Sequence, residues 1–196
     1  MENSLQTNTE KKRKHDEELH KLQLIVSRDK MVLKENLGLR NCFYLSLAEL
    51  TKDTAEESRS KIATAEIESA QRDRYEFEFN QLKATDVLHT LYPRTYEEYT
   101  SKTKLSGTYA GQVEVQVAMD VYSCNFRIYS STGSYSLDSI NPGYQNFPTY
   151  CLAQMENPPH WMAVMTGRLS DRVDQGAPIL EPGTKRHCKS TFATKS

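Results

Sequence analysis

The apolar residues of this chain change period along its length, and that change limits the fold more than any other feature. From Glu17 to Asn36, Leu19, Leu22, Ile25 or Val26, and Leu33 recur near the 3.6-residue spacing of an amphipathic helix or helix pair. Gly38 breaks the pattern, and Cys42 to Leu50 resumes it, with Phe43, Leu47 and Leu50 on one face and Tyr44 and Ala48 beside them. Ile62, Ala63, Ile67 and Ala70 keep helical spacing up to an aromatic anchor, "RYEFEF"; Leu82 to Leu91 is a further short helix that stops before Pro93. "TYEE" fits a capping box in which Thr95 caps a short helix and Glu98 reaches back. Beyond residue 124 the runs become β-like: "NFRIYS", "TYCLAQM" and "HWMAVM". Helices first and strands later imply an α+β domain. "GQVEVQVAMDVYS" fits both periods, because Val113, Val115 and Val117 alternate while Val113, Val117, Ala118 and Val121 share a helical face.

The 196 residues suffice for one domain with tails, and a hydrophobic content of 37% with a mean hydropathy of −0.69 implies that polar ends dilute a normal core. Residues 1–16, with Lys11-Lys12-Arg13-Lys14, read as a disordered arm, and 170–196 as a polar tail. The domain is therefore expected over 17–169, with 17–36 as an N-terminal helical extension. The basic block is a solvated charge run, with a nuclear signal as the alternative. A balance of 25 basic and 26 acidic side chains excludes the footprint of a nucleic-acid binder. There is no signal-peptide core and no run of about 18 apolar residues, so the expectation is a cytoplasmic monomer with no membrane partner. Cys42, Cys124, Cys151 and Cys188 are too scattered for a zinc site, and neither metal nor cofactor is expected. They read as free thiols in a reducing compartment, the alternative being two disulfides outside the cell.

Cys42 is the residue with chemical potential. At a helix start, unpaired N–H groups and the aligned dipole favour a thiolate, and the turn before the helix offers N–H donors to an oxyanion. The bland alternative is a small buried residue. Its base would be a histidine. His15 and His20 lie in or near the arm, His187 in the tail and His89 within a helical pattern, whereas His160 stands after "NPP" at the mouth of a strand.

"NCFYLSLAEL", "GTYAGQVEVQVAMDVYSCNFRIYS" and "PHWMAVM", in that order and spanning about residues 31 to 169, resemble the three blocks of the ovarian-tumour (OTU) family of cysteine proteases. The resemblance implies a papain-type α+β fold, a small central sheet packed between helices, with 112–122 a helix and 125–130 the strand after it. It also implies a cysteine-type deubiquitinase acting on ubiquitin, polyubiquitin or a ubiquitin-like modifier. Cys42 corresponds to the nucleophile, His160 to the general base, and the peptides around Arg40 and Asn41 to the oxyanion loop. Trp161, Gly107, Tyr109 and Gly111 correspond to the channel for the extended C-terminal tail. The chain departs from the family where an acid or amide orients the histidine: the positions three before the cysteine and two after the histidine are Leu39 and Met162. The first-block glycine is Arg40, and Ala110 replaces a second. A Cys-His dyad, an orienting group from elsewhere (Asn41 and Asn157 are nearest in sequence), and a catalytically inactive ubiquitin-binding or scaffold module are the readings left open.

Overall fold

Strand alternation in the last third of the domain sorts side chains onto two faces of one sheet. The computed structural model describes residues 2–36, 38, 40–85, 93–139, 141–156 and 159–167. The chain divides into Met1–Thr166 and Gly167–Ser196, and every element below belongs to the first unit. Five strands, β1 (Met31–Lys34), β2 (Asn125–Ser130), β3 (Gly133–Leu137), β4 (Thr149–Glu156) and β5 (Pro159–Thr166), are ordered β1-β5-β4-β2-β3. All neighbours are antiparallel except β2 and β4, which run parallel. Among the described residues six α-helices accompany them: α1 (Glu2–Arg28), α2 (Cys42–Leu50), α3 (Ala55–Glu68), α4 (Arg72–Thr85), α5 (Tyr96–Thr103) and α6 (Gln112–Tyr122).

The two faces carry separate apolar clusters. Tyr129, Ala153, Met155, Met162 and Val164 face Leu22 and Val26 of α1. Phe126, Ile128, Leu152 and Trp161 face the other way, against a larger cluster built from α2 to α6 that includes Phe43, Leu47, Ile62, Phe79 and Val117. This is the expected α+β arrangement of a small sheet between helices. The ambiguous valines form α6, and both periods fit because the helix is buried almost all round: Val113, Val115, Val117, Ala118 and Met119 are all inaccessible.

Several local expectations are corrected. Of the expected arm over 1–16, residues 2–16 are instead part of α1, which begins at Glu2. No glycine or proline precedes Gly38, and i,i+4 pairs Glu10–Lys14 (2.9 Å) and Arg13–Glu17 (2.6 Å) support its exposed turns. The helical extension to residue 36 ends instead at Arg28. Lys30 adopts a left-handed conformation (φ 59°), and Met31–Lys34 turn into β1 because β5 offers an open edge to pair with. "RYEFEF" lies inside α4, with Tyr75 and Phe79 buried one turn apart and Phe77 exposed. Strand β3 was not foreseen. Thr95 caps α5 by accepting from Glu98 N–H (3.2 Å), but the Glu98 carboxylate accepts from Arg94 N–H (2.8 Å), one residue before the cap. A complete capping box forms at Thr54 and Glu57. The helix foreseen over 82–91 is described only to Thr85; His89, Leu39, Asn157 and the 170–196 tail lie outside the described residues.

Two acids are sealed in the larger cluster, Glu66 at 0% and Glu114 at 1% exposure. Glu114 accepts from Tyr99 Oη (2.6 Å) and from Gly111 N–H (2.7 Å), yet burial still raises its pKa. Burial first, and then the charge of Glu114, push Glu66 up to about 9, so it keeps its proton at neutral pH. The folded state therefore holds a proton that an unfolded glutamic acid releases at about pH 4.3. The stability linked to it is complete below that pH and is lost as pH rises towards about 9. Glu66→Gln, which stays neutral, should show a higher Tm than the parent at pH 8 and a smaller fall in Tm from pH 5 to 8. Parallel Tm curves for the two proteins would contradict the buried-proton account.

Candidate active site

The nucleophile candidate is set by a turn. Asn41 N–H donates to Gly38 O (2.9 Å), closing the chain just before α2. A side chain at Gly38 would meet the tip of Leu45, which would have to turn aside to admit it. Asn41 occupies the N-cap position without capping. Its Oδ1 accepts instead from Arg59 Nη2 (2.6 Å) and Gly107 N–H (2.9 Å), and its Nδ2 donates to Ser106 Oγ (3.1 Å). The first amides of α2 are thereby left for the sulfur: the N–H groups of Cys42 and Phe43, with that of Trp161 from β5, lie against Cys42 Sγ. These donors favour the thiolate, but burial outweighs them and raises the thiol pKa. Cys42 is 1% exposed.

His160 enters from β5. The peptide that joins it to Trp161 carries the N–H facing the Cys42 sulfur, so the two candidate residues meet across one peptide group. Burial is the main influence on the half-buried imidazole and lowers its pKa. The charge of His15, on α1, acts in the same direction; the Glu35 carboxylate and the main chain of Asn36 oppose it.

Beside His160 and Trp161 opens a cleft of about 630 Å³ whose walls include Tyr109, Gly111, Val115 and Leu137. Trp161 is fixed there by its Nε1–H, which donates to Ala110 O (3.3 Å), and by an edge contact with Phe43 (ring centroids 5.6 Å apart). The 104–111 loop that forms one wall is tied to α2 through a buried cation. Arg59 donates to Thr103 O (2.8 Å), Thr108 O (3.1 Å) and Asn41 Oδ1, with its guanidinium 3.9 Å over the Tyr44 ring.

No family model matches the chain, and neither does any curated protein. Solved structures do match. The OTU domain of OTUD1 superposes with a TM-score of 0.53 at 14% identity, covering 76% of this chain and 94% of that domain. The viral OTU domain protease from Dera Ghazi Khan virus superposes at 0.50 with 12% identity, covering 72% and 84%. The fold is OTU-like.

Within this OTU-like fold, His160, Trp161, Tyr109 and Gly111 line one cleft, and Cys42, outside that lining, is joined to it through the Trp161 backbone. Gly107 is not part of the cleft wall; with φ 84° it bends the loop back to Asn41, a conformation that favours glycine. Asn41 N–H is engaged by Gly38 O, and Arg40 is exposed with its guanidinium 6.0 Å from the Tyr109 ring centroid. The amides facing the sulfur are those of Cys42, Phe43 and Trp161. Met162, in the position of the usual orienting residue, is buried under α1 among apolar side chains.

Sequence reasoning missed Arg59, Glu35, Asn36 and the nearness of His15. Arg59 had a readable signal: with Glu66 it shares the stripe of Ile62 and Ala63, where a charge is out of place unless partnered. Replacing it by methionine keeps the bulk but removes three hydrogen bonds. Arg59→Met should lose about 2–4 kcal/mol of stability in urea unfolding and speed amide exchange across 104–111. Parental exchange in that loop would show that Arg59 does not hold it.

Proposed function

We propose that this protein is a cysteine-dependent deubiquitinase that hydrolyses isopeptide bonds at the C-terminus of ubiquitin or a ubiquitin-like modifier. The observation that carries the reading is the Cys42 sulfur at an uncapped helix start, against the peptide of His160 and beside an apolar cleft. The three sequence blocks that resemble OTU proteases supply the substrate class.

The two shifts set the order of proton movement. A raised thiol and a lowered imidazole are both neutral near pH 7, so the proton passes to His160 as the sulfur attacks the carbonyl rather than before. The amides at the sulfur favour its negative charge as the proton leaves. Collapse to the thioester breaks the C–N bond, with His160 returning the proton to the leaving lysine amine. His160 then takes a proton from water, which hydrolyses the thioester and restores the thiol. The cleft wall fixed by Trp161 suits an extended tail of small residues.

A second reading has its own support. A thiol only 1% exposed, with the preceding turn closed by Asn41 N–H, favours a binding module that does not turn over substrate. Ubiquitin bearing a cysteine-reactive electrophile at its C-terminus separates the two. Enzyme gives a mass shift that is lost in Cys42→Ala and reduced at least about tenfold in rate in His160→Ala; a binding module gives affinity without a shift.

The lowered pKa of His160 also fixes a pH profile. Protonated imidazole cannot act as base, so activity falls as pH drops through the His160 pKa. The acid-side midpoint of kcat/KM on a fluorogenic ubiquitin amide should therefore lie below the ordinary histidine value of about 6.5. A midpoint above that value would contradict the environment described for His160.

A further inference from the structure

The usual orienting positions hold groups that cannot orient a histidine, and the structure supplies a different segment at the imidazole. Residues 35 and 36 leave β1 where it stops pairing with β5, one step beyond Lys34↔Ala163, and so run past Trp161 and His160. Asn36 Nδ2 has acceptors on three sides: Trp161 O on β5 at 3.0 Å, Ser46 Oγ on α2 at 3.1 Å and Cys42 O at 3.3 Å. Ser46 Oγ itself donates to Cys42 O (2.8 Å), so the amide grips a first helical turn that is already braced. The main chain of the same residue lies within reach of the His160 ring, where it raises the imidazole pKa against the effect of burial. One residue thus touches the helix of the nucleophile and both the strand and the ring of the base.

We infer that Asn36 is the positioning residue of this site: its side chain locks α2 to β5, and its carbonyl holds the imidazole in the tautomer whose other nitrogen is free to accept the thiol proton. This inference rests on the deubiquitinase reading. A main-chain oxygen can do the work of the missing acid because the requirement is an acceptor for one ring N–H at a fixed place. An acid would also stabilise the imidazolium; here the charge facing the ring is Glu35 after β1, opposed by His15 from α1. The Asn36 amide has a further mark of a functional role. Its Oδ1 is buried without a hydrogen-bond partner, an arrangement that lowers stability and gains nothing from packing alone.

The test uses the full chain and two readouts. The first is the ¹⁵N chemical shifts of the His160 ring, which report the tautomer and need no substrate; the second is kcat and KM on the fluorogenic ubiquitin amide. The parent should show one dominant tautomer. Asn36→Ala should populate both and lower kcat about ten- to a hundredfold with KM within about twofold. Asn36→Ser keeps one donor and should fall between the two; it also serves if the alanine variant does not fold. An unchanged tautomer in either folded variant, whatever its Tm, overturns the inference and leaves Asn36 as a structural tie. A tautomer that shifts in a protein inert towards the ubiquitin electrophile would overturn the deubiquitinase reading and leave the positioning role standing.

Discussion

Four residue pairs, from Met31↔Thr166 to Lys34↔Ala163, join β1 to β5. Without them the turn at Gly38 and the helix opened by Cys42 have no fixed relation to the strand of His160. With them, the short stretch between Lys34 and Cys42 joins a sheet edge to a helix packed on one face, and the Asn36 side chain lies between the two. The position of Asn36, the closed turn of Asn41 and the amides around the sulfur all follow from that short crossing. The strand is only four residues long, so its ladder is reinforced from outside. Tyr129 Oη donates to Asp29 Oδ2 (2.7 Å), and Arg127 pairs with the same carboxylate (3.0 Å), pinning the end of α1 just before β1 begins.

The cleft side is organised by burial of polar groups rather than by the sheet. Arg59, Glu66 and Glu114 lie among aromatic rings where water does not reach. Each is tolerable there for a different reason: the cation has three oxygens and a ring face, one acid has three donors, and the other keeps its proton. Such groups add less to stability than hydrocarbon of the same volume would, and what they add is a definite place for the loops they bind. The 104–111 segment has few apolar anchors of its own, with Leu105 60% and Tyr109 42% exposed, and takes its position from Arg59 and Asn41.

Much of this was legible in the residues. The helical period around Cys42, the strands that hold His160 and Cys151, and the α+β order came from apolar spacing. The resemblance of three blocks turned an ambiguous valine run into α6, where a buried helix had erased the difference between the two periods. What stayed hidden were contacts made by tertiary pairing. Met31–Lys34 is too short to announce itself as a strand and continues a helical pattern; only the open edge of β5 decides its conformation. Because that strand was not visible, neither Glu35 nor Asn36 could be placed beside a histidine more than 120 positions away. The His15 side chain was hidden for the same reason, since an i,i+4-paired polar helix reads as an unstructured arm when its partner sheet is unknown.

The register of β1 against β5 also decides when the site comes into being. The two strands are separated by nearly the whole domain, so closing that loop carries a large entropy loss that local contacts cannot offset in advance. While the chain emerges from the ribosome, α2 and the helices after it have their sequence partners at hand, but β1 waits as an unpaired edge until residue 166 has been made. A thiol already placed at the head of its helix thus meets His160 last, and a chain stopped short of β5 holds Cys42 without the strand that faces it.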